Sequence, residues 1–201
     1  MSTRNIVLIS ILAFILILGG CGCSGYNSMV NLDENVKAKW SNVESDYQRR
    51  SDLIPNLVNT VKGAANFETE TLTKVMEARS KATSVQVDPS KISPEQLAAF
   101  QQAQAGVSSA LGRLLAVAEN YPQLKATQSF QDLQAQLEGT ENRIKVSRND
   151  FNSAVQEYNT TIRRFPTVLY AGALGFQTRE GFKAEAGAEK APTVDFGGSG
   201  K

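Results

Sequence analysis

The sequence predicts an all-α protein: an up-and-down antiparallel bundle of three long helices plus a short C-terminal helix, four-helix-bundle-like in outline. Two observations carry that prediction. From Tyr26 onward, apolar residues recur in steps of three, four and seven, the spacing that stacks side chains on one face of a helix. The interruptions, Ser93-Pro94-Glu95-Gln96, Asn120-Tyr121-Pro122 and Pro166, are those that start and stop helices. Long amphipathic helices with short connections must bury their stripes against one another, which makes a bundle.

The first helix is expected from about Asn27 to Thr83, with Leu32, Val36, Val43, Tyr47, Ile54, Val58, Val61, Leu72 and Val75 on its apolar face. Unbroken, it would be about 80 Å long. Pro55 has no N–H and its ring crowds the carbonyl of Ser51, so a kink is predicted there, with Gly63 a second soft point. Residues 84–92 read as a connection. Ser93 then stands as N-cap of the second helix, Pro94 in its first turn and Gln96 where it closes a capping box. That helix carries Leu97, Phe100, Gln104, Val107, Leu111, Leu114 and Ala118. The third resumes near Leu124 to Phe130 and presents Phe130, Leu133, Leu137, Thr140, Ile144, Ser147, Phe151, Ala154, Tyr158, Ile162 and Phe165. Gly139 weakens it locally and Pro166 ends it. Val168 to Phe176 is the short fourth element, softened by Gly172 and Gly175. The bundle is thus assigned to residues 26–186. Residues 187–201, GAEKAPTVDFGGSGK, have little to bury and read as a mobile tail.

Residues 1–21 form a separate segment. Arg4 precedes an apolar run from Ile6 to Leu18, interrupted only by Ser10, and Leu18-Gly19-Gly20-Cys21 follows. Charge, apolar run, small residues and cysteine, in that order, begin an exported bacterial lipoprotein. The run is shorter than the roughly 20 residues that span a bilayer. Cys21 is therefore the expected lipid-attachment residue, and Cys23 the poorer candidate because Gly20 lies three positions before it. The rival reading is an uncleaved transmembrane helix extended outward to Tyr26. Both readings tether the domain to a membrane, facing the periplasm or cell exterior as a lipoprotein, or as a single-pass inner-membrane protein.

Composition excludes several classes. Lys plus Arg total 21 against 20 for Asp plus Glu, and removing residues 1–20 removes only Arg4, leaving 20 against 20. Such balance argues against nucleic acid, which requires a basic face. There is no histidine, so Ser-His and Cys-His nucleophile pairs, HExxH zinc sites and Glu-x-x-His di-iron sites are all excluded. Both cysteines lie beside the apolar run, which leaves the body without an internal disulfide or a thiolate metal site. Glu138 and Glu141, with Glu119 elsewhere, invite an acid–base reading, but glutamates at i, i+3 more often form a solvated face or pair with Arg143 and Lys145. Thr140 and Ser147 sit at seam positions with no imidazole to activate them and are read as register-setting. Arg49-Arg50 and Arg163-Arg164 are read as helix-surface ion pairs rather than lipid-phosphate contacts. Phe130, Phe151, Tyr158 and Phe165 are read as core, and Trp40 as core or partner contact. The terminal Gly197-Gly198-Ser199-Gly200-Lys201 lacks the strand and helix that a phosphate loop needs.

Trp40-Ser41-Asn42-Val43-Glu44, Tyr47-Gln48-Arg49-Arg50, Asp52-Leu53-Ile54-Pro55-Asn56-Leu57-Val58 and Val61-Lys62-Gly63 resemble the first helix of LemA proteins. The segment from Leu111 to Ala126, the block FQDLQAQLEGTENRI from Phe130 to Ile144, the stretch Tyr158 to Pro166 and Ala191 to Phe196 are similar to later parts of the same family. The resemblance covers roughly residues 26–196. It implies a membrane-anchored helical bundle and places Pro55 inside a helical region. Many members begin with a plain transmembrane helix, from which Leu18-Gly19-Gly20-Cys21 departs. The resemblance brings no settled activity and no catalytic residues.

The expectation is a membrane-tethered, non-enzymatic scaffold or adaptor of the cell envelope, without cofactor, metal or catalytic residues, that engages a membrane protein partner. The candidate partner-binding face is Val168, Leu169, Leu174 and Phe176, which offer an apolar strip to a partner helix. The alternative is an envelope ligand-binding module for lipid, peptide or cell-wall fragment, with Gln104, Gln134 and Thr140 as candidate lining.

Overall fold

The computed structural model describes residues 3–63 and 68–183; for residues 3–4 and 6–21 that is the backbone alone. Among the described residues the regular elements are all helical: α1 (Thr3–Lys62), α2 (Thr69–Ser84), α3 (Pro94–Ala118), the short α4 (Pro122–Lys125) and α5 (Gln128–Arg163), then a 3-10 turn at Thr167–Leu169. The side chain of Cys21 and the expected tail 187–201 lie outside the described residues.

Long helices packed antiparallel make the bundle, with α1 on α5 and α2 on α3. Lys39 pairs with Asp150 and Arg50 with Glu141, so α1 and α5 run in opposite directions. Trp40 packs on Phe100 and Arg50 reaches Gln104, so α3 runs parallel to α1. The chain goes up, down, up and down. The predicted start of α3 is present: the Ser93 hydroxyl accepts from the Gln96 amide at 3.2 Å while the Gln96 carboxamide accepts from the Ser93 amide at 3.3 Å.

The expected first helix is two helices. The break falls at Gly63, and α2 folds back so that Leu72, Val75 and Ala82 join one core with Ala103, Val107 and Leu111 of α3. A straight continuation would have left that stripe in water, at a cost of about 25 cal/mol per Å² of apolar surface. The fourth long helix is therefore α2. Val168 to Phe176 is not a regular helix but the 3-10 turn followed by further turns, with Gly175 at φ +87°.

Pro55 does not end α1. A proline at position 55 leaves the carbonyl of Ser51 without its helical donor. Arg79 of α2 replaces that donor, its Nε placed 2.8 Å from the Ser51 carbonyl oxygen. A helix defect in α1 is thus satisfied by the helix packed against it.

The core has two parts. One is aliphatic and lies among the four helices: Ile54, Leu57, Val61, Val75, Val107, Leu114 and Leu137 are all buried. The other is aromatic: Trp40, Tyr47, Phe100, Phe151, Tyr158 and Phe182. In this second half α2 is absent, and Val87 and Ile92 from the connection and Phe182 from the C-terminal segment complete the packing.

Arg79→Met should cost about 1–3 kcal/mol by leaving the Ser51 carbonyl unsatisfied. In a Pro55→Ala background the same change should cost little, because the new amide at position 55 bonds Ser51. A double-mutant cycle by urea denaturation measures that coupling; equal costs in both backgrounds would show that Arg79 does not compensate for the proline.

Candidate functional site

Three features outside ordinary helix packing are candidates for function. The first is a polar layer between the two core halves. Arg50 is only 2% exposed. Its Nη1 donates to Glu141 Oε1 at 2.6 Å and to Ser108 Oγ at 2.9 Å, and its Nη2 donates to Gln104 Oε1 at 2.6 Å and to the Gln104 carbonyl at 3.2 Å. The guanidinium also lies over the Tyr47 ring, 5.0 Å from its centroid. One side chain thus links α1, α3 and α5, using the planar fork that makes arginine suited to such sites. Burial pushes the Tyr47 phenol above its ordinary pKa, against the opposing pull of Arg148 and Arg50.

The second is the extended segment after Phe176, which lies along α5. Asn159 donates to the Arg179 carbonyl at 2.8 Å and accepts from the Arg179 amide at 2.9 Å. Asn152 does the same for Phe182, at 3.1 Å and 2.7 Å. The Arg179 guanidinium donates to Asp33 Oδ1 at 2.7 Å and to the carbonyls of Pro89 and Ser90 at 2.9 and 3.2 Å. Phe182 stacks on Trp40 at 5.8 Å between centroids, meets Phe151 edge-on at 5.5 Å and lies under the Arg148 guanidinium at 4.7 Å. Gly181 passes so close to α5 that a Cβ there would sit 2.7 Å from Asn152 Oδ1.

The third is an exposed apolar turn at one end of the bundle. Phe165 and Leu169 are 75% and 73% exposed, Val168 and Leu174 50% and 49%. The turn is held against α1 near residue 25: Tyr26 packs edge-on with Phe176 at 5.8 Å, and a Cβ at Gly25 would overlap the Tyr170 hydroxyl. The Thr167 hydroxyl donates to the carbonyls of Thr161 and Arg164 and fixes the turn to the end of α5. Gly25 is seven residues beyond Leu18, or about 10 Å along the helix axis.

Several sequence expectations change place. Phe165 belongs to the exposed turn rather than the core, because Pro166 ends α5 before its ring can turn inward. Phe176, expected with Val168, Leu169 and Leu174 on one open face, is half-buried against the aromatic core. Arg50, read as a surface ion pair, is the most buried charge described. Glu141 is its partner and Glu138 accepts from Gln134, so the two glutamates serve different contacts. Thr140 and Ser147 are buried and bond back to their own helix, as seam residues should. Asn152 and Asn159 escaped the sequence reading; their seven-residue spacing was the available signal.

The model of the LemA family matches residues 39–196. Magnetosome protein MamQ 2 of Paramagnetospirillum magneticum is 31% identical, over 89% of this chain and 70% of its own length. Magnetosome protein MamQ of Magnetospirillum gryphiswaldense is 30% identical, over 88% and 70%. Protein LemA of Metamycoplasma hominis is 27% identical, over 74% and 64%.

Arg50→Ala should cost about 2–5 kcal/mol, because it empties the space of a large buried side chain and leaves Gln104 and Ser108 without their donor. Glu141→Gln should cost only about 0.5–1.5 kcal/mol, since Glu141 is 46% exposed; denaturant titration of both variants checks the contrast. The raised Tyr47 pKa contributes stability that is whole below about pH 10, where the unfolded phenol titrates, and is lost as pH climbs through the folded value. Tyr47→Phe should flatten that alkaline limb, read from urea midpoints across the range.

Proposed function

The chain belongs to the LemA family, and on that premise we propose that it is a membrane-tethered, non-enzymatic helical scaffold of the bacterial cell envelope that engages a membrane protein partner. The observation that carries this reading is the exposed turn of Phe165, Val168, Leu169 and Leu174, packed against α1 where that helix continues toward the apolar run. Large apolar side chains clustered in the open mark interaction surfaces. This cluster stands about 10 Å along the axis from the end of the run, so a tethered bundle holds it close to the bilayer surface. A partner embedded in that membrane meets it without leaving the lipid.

The tether is either a lipid on Cys21 or the uncleaved apolar segment, and both hang the bundle by the same end of α1. Among the described residues no helix is long and apolar enough to cross a membrane. The absence of histidine from the whole chain supports a scaffold over a hydrolase. The ligand-module alternative rests on the open cleft beside Arg50, Gln104 and Glu141, about 500 Å³ and within the roughly 300–1,000 Å³ of ordinary ligand sites. Of the expected lining only Gln104 reaches that cleft, and its carboxamide oxygen already accepts from Arg50.

The test is cross-linking of the tagged full chain in its own membranes, with mass spectrometry of partners and of the mature N-terminus. A recurring membrane protein should be captured by the native chain and lost from a Phe165→Ser, Leu169→Asp variant whose melting temperature is unchanged, since surface changes typically move stability within about ±0.5 kcal/mol. Capture that survives both changes assigns the partner to another face. A lipid-modified N-terminal Cys21 supports the lipoprotein form; a chain starting at Met1 supports the uncleaved anchor.

A further inference from the structure

The segment after Phe176 makes no backbone–backbone hydrogen bond to the bundle among the described residues. It is held instead by side chains that read an extended peptide. A carboxamide that donates to a carbonyl and accepts from the amide of the same residue recognises backbone whatever side chain that residue carries. Two such clamps, Asn152 and Asn159, stand on one face of α5 seven residues apart. Seven helical residues rise about 10 Å, and three extended residues span about 10 Å. The helix is therefore a ruler matched to extended chain, and residues 179 and 182 fall on its marks.

Side-chain selectivity is added at three positions. Asp33 and the carbonyls of Pro89 and Ser90 take an arginine fork. Asn152 crowds the position before the second clamp, which admits glycine. Trp40, Phe151 and Arg148 enclose an aromatic ring. The side chains of Gln177, Thr178, Glu180 and Lys183 are exposed, so Arg179 and Phe182 are the side chains that anchor the segment, while Gln101 and Arg148 donate to the Lys183 carbonyl.

We propose that this groove is a peptide-recognition site for extended segments of the pattern Arg-x-Gly-aromatic in a partner protein, and that residues 179–182 are its resident, displaceable ligand. The groove uses none of the exposed turn, so it stands or falls separately from the tethered-scaffold reading. An incoming segment competes with the resident one, and its apparent affinity is reduced by the fraction of chains whose groove is filled.

The probe is a fluorescein-labelled peptide of residues 177–183, Gln-Thr-Arg-Glu-Gly-Phe-Lys, titrated by fluorescence anisotropy into the full chain. An Arg179→Ala, Phe182→Ala variant, which frees the groove and leaves its walls intact, should bind the peptide about tenfold or more tighter than the native chain. Adding Asn152→Ala and Asn159→Ala should abolish that gain, and a peptide carrying Gly181→Val should not bind. In the unmutated chain, excess peptide should speed hydrogen exchange at the Phe182 amide while the α5 amides stay protected. Equal weak binding to every folded variant, with no change in exchange, overturns the proposal. Collapse of the helical circular dichroism on freeing the segment, with no exchange effect in the native chain, makes it a structural closure and overturns it as well. A dimer that forms without binding peptide assigns the groove to a second copy and overturns the partner assignment.

Discussion

The buried guanidinium of Arg50 is the constraint around which the bundle is arranged. It sits between the aliphatic and aromatic core halves and is bonded to groups on α3 and α5. Burying a charge is costly unless every donor finds a partner, and here Gln104, Ser108 and Glu141 have to stand at one height. Apolar stripes alone would tolerate sliding of one helix along another. A directional polar layer does not, because a shift of one turn leaves a charge in the core without partners. Arg79 works at the same level, supplying the donor that Pro55 removes. Register is thus set by two arginines, while the bulk of the burial is apolar.

Beyond that layer the two halves of the molecule solve different packing problems. Four helices surround the aliphatic half. The aromatic half has α1, α5 and the start of α3, and no second helical hairpin reaches it. Its open side is closed by irregular chain: the connection through Val87 and Ile92, and the segment that delivers Phe182 onto Trp40. Irregular backbone carries unpaired amides and carbonyls that must be satisfied. Asn152 and Asn159 do that for the C-terminal segment, which is why polar residues stand on a helix face otherwise given to packing.

Much of this was legible from residue order. The start of α3 was readable to the residue, because a capping box depends on side chains three positions apart and on nothing distant. The core faces of α3 and α5 followed from periodicity, which survives into the fold wherever a stripe meets another stripe. The reading failed where the deciding partner was remote in sequence. The local cost of Pro55 was legible, but the donor that meets it, Arg79, lies in another helix. Phe165 continued the stripe of α5 on paper, while Pro166 had already turned the chain away. Arg50 looked like half of an ordinary surface doublet, because nothing local distinguishes an arginine that points into a polar layer from one that points into water.

The sequence by itself determined that the chain is helical, where α3 and α5 begin and end, that the chain lacks the residues for histidine-based catalysis, and that an apolar segment precedes the bundle. These are properties of near neighbours and of composition, governed by capping, periodicity and residue inventory. Tertiary structure alone decided that the first stripe divides between two helices, that one arginine spans three helices, and that an unremarkable Arg-Glu-Gly-Phe is docked as an extended peptide on α5. Each of those depends on groups tens of residues apart arriving at the same height, and helix geometry, not sequence proximity, sets that height.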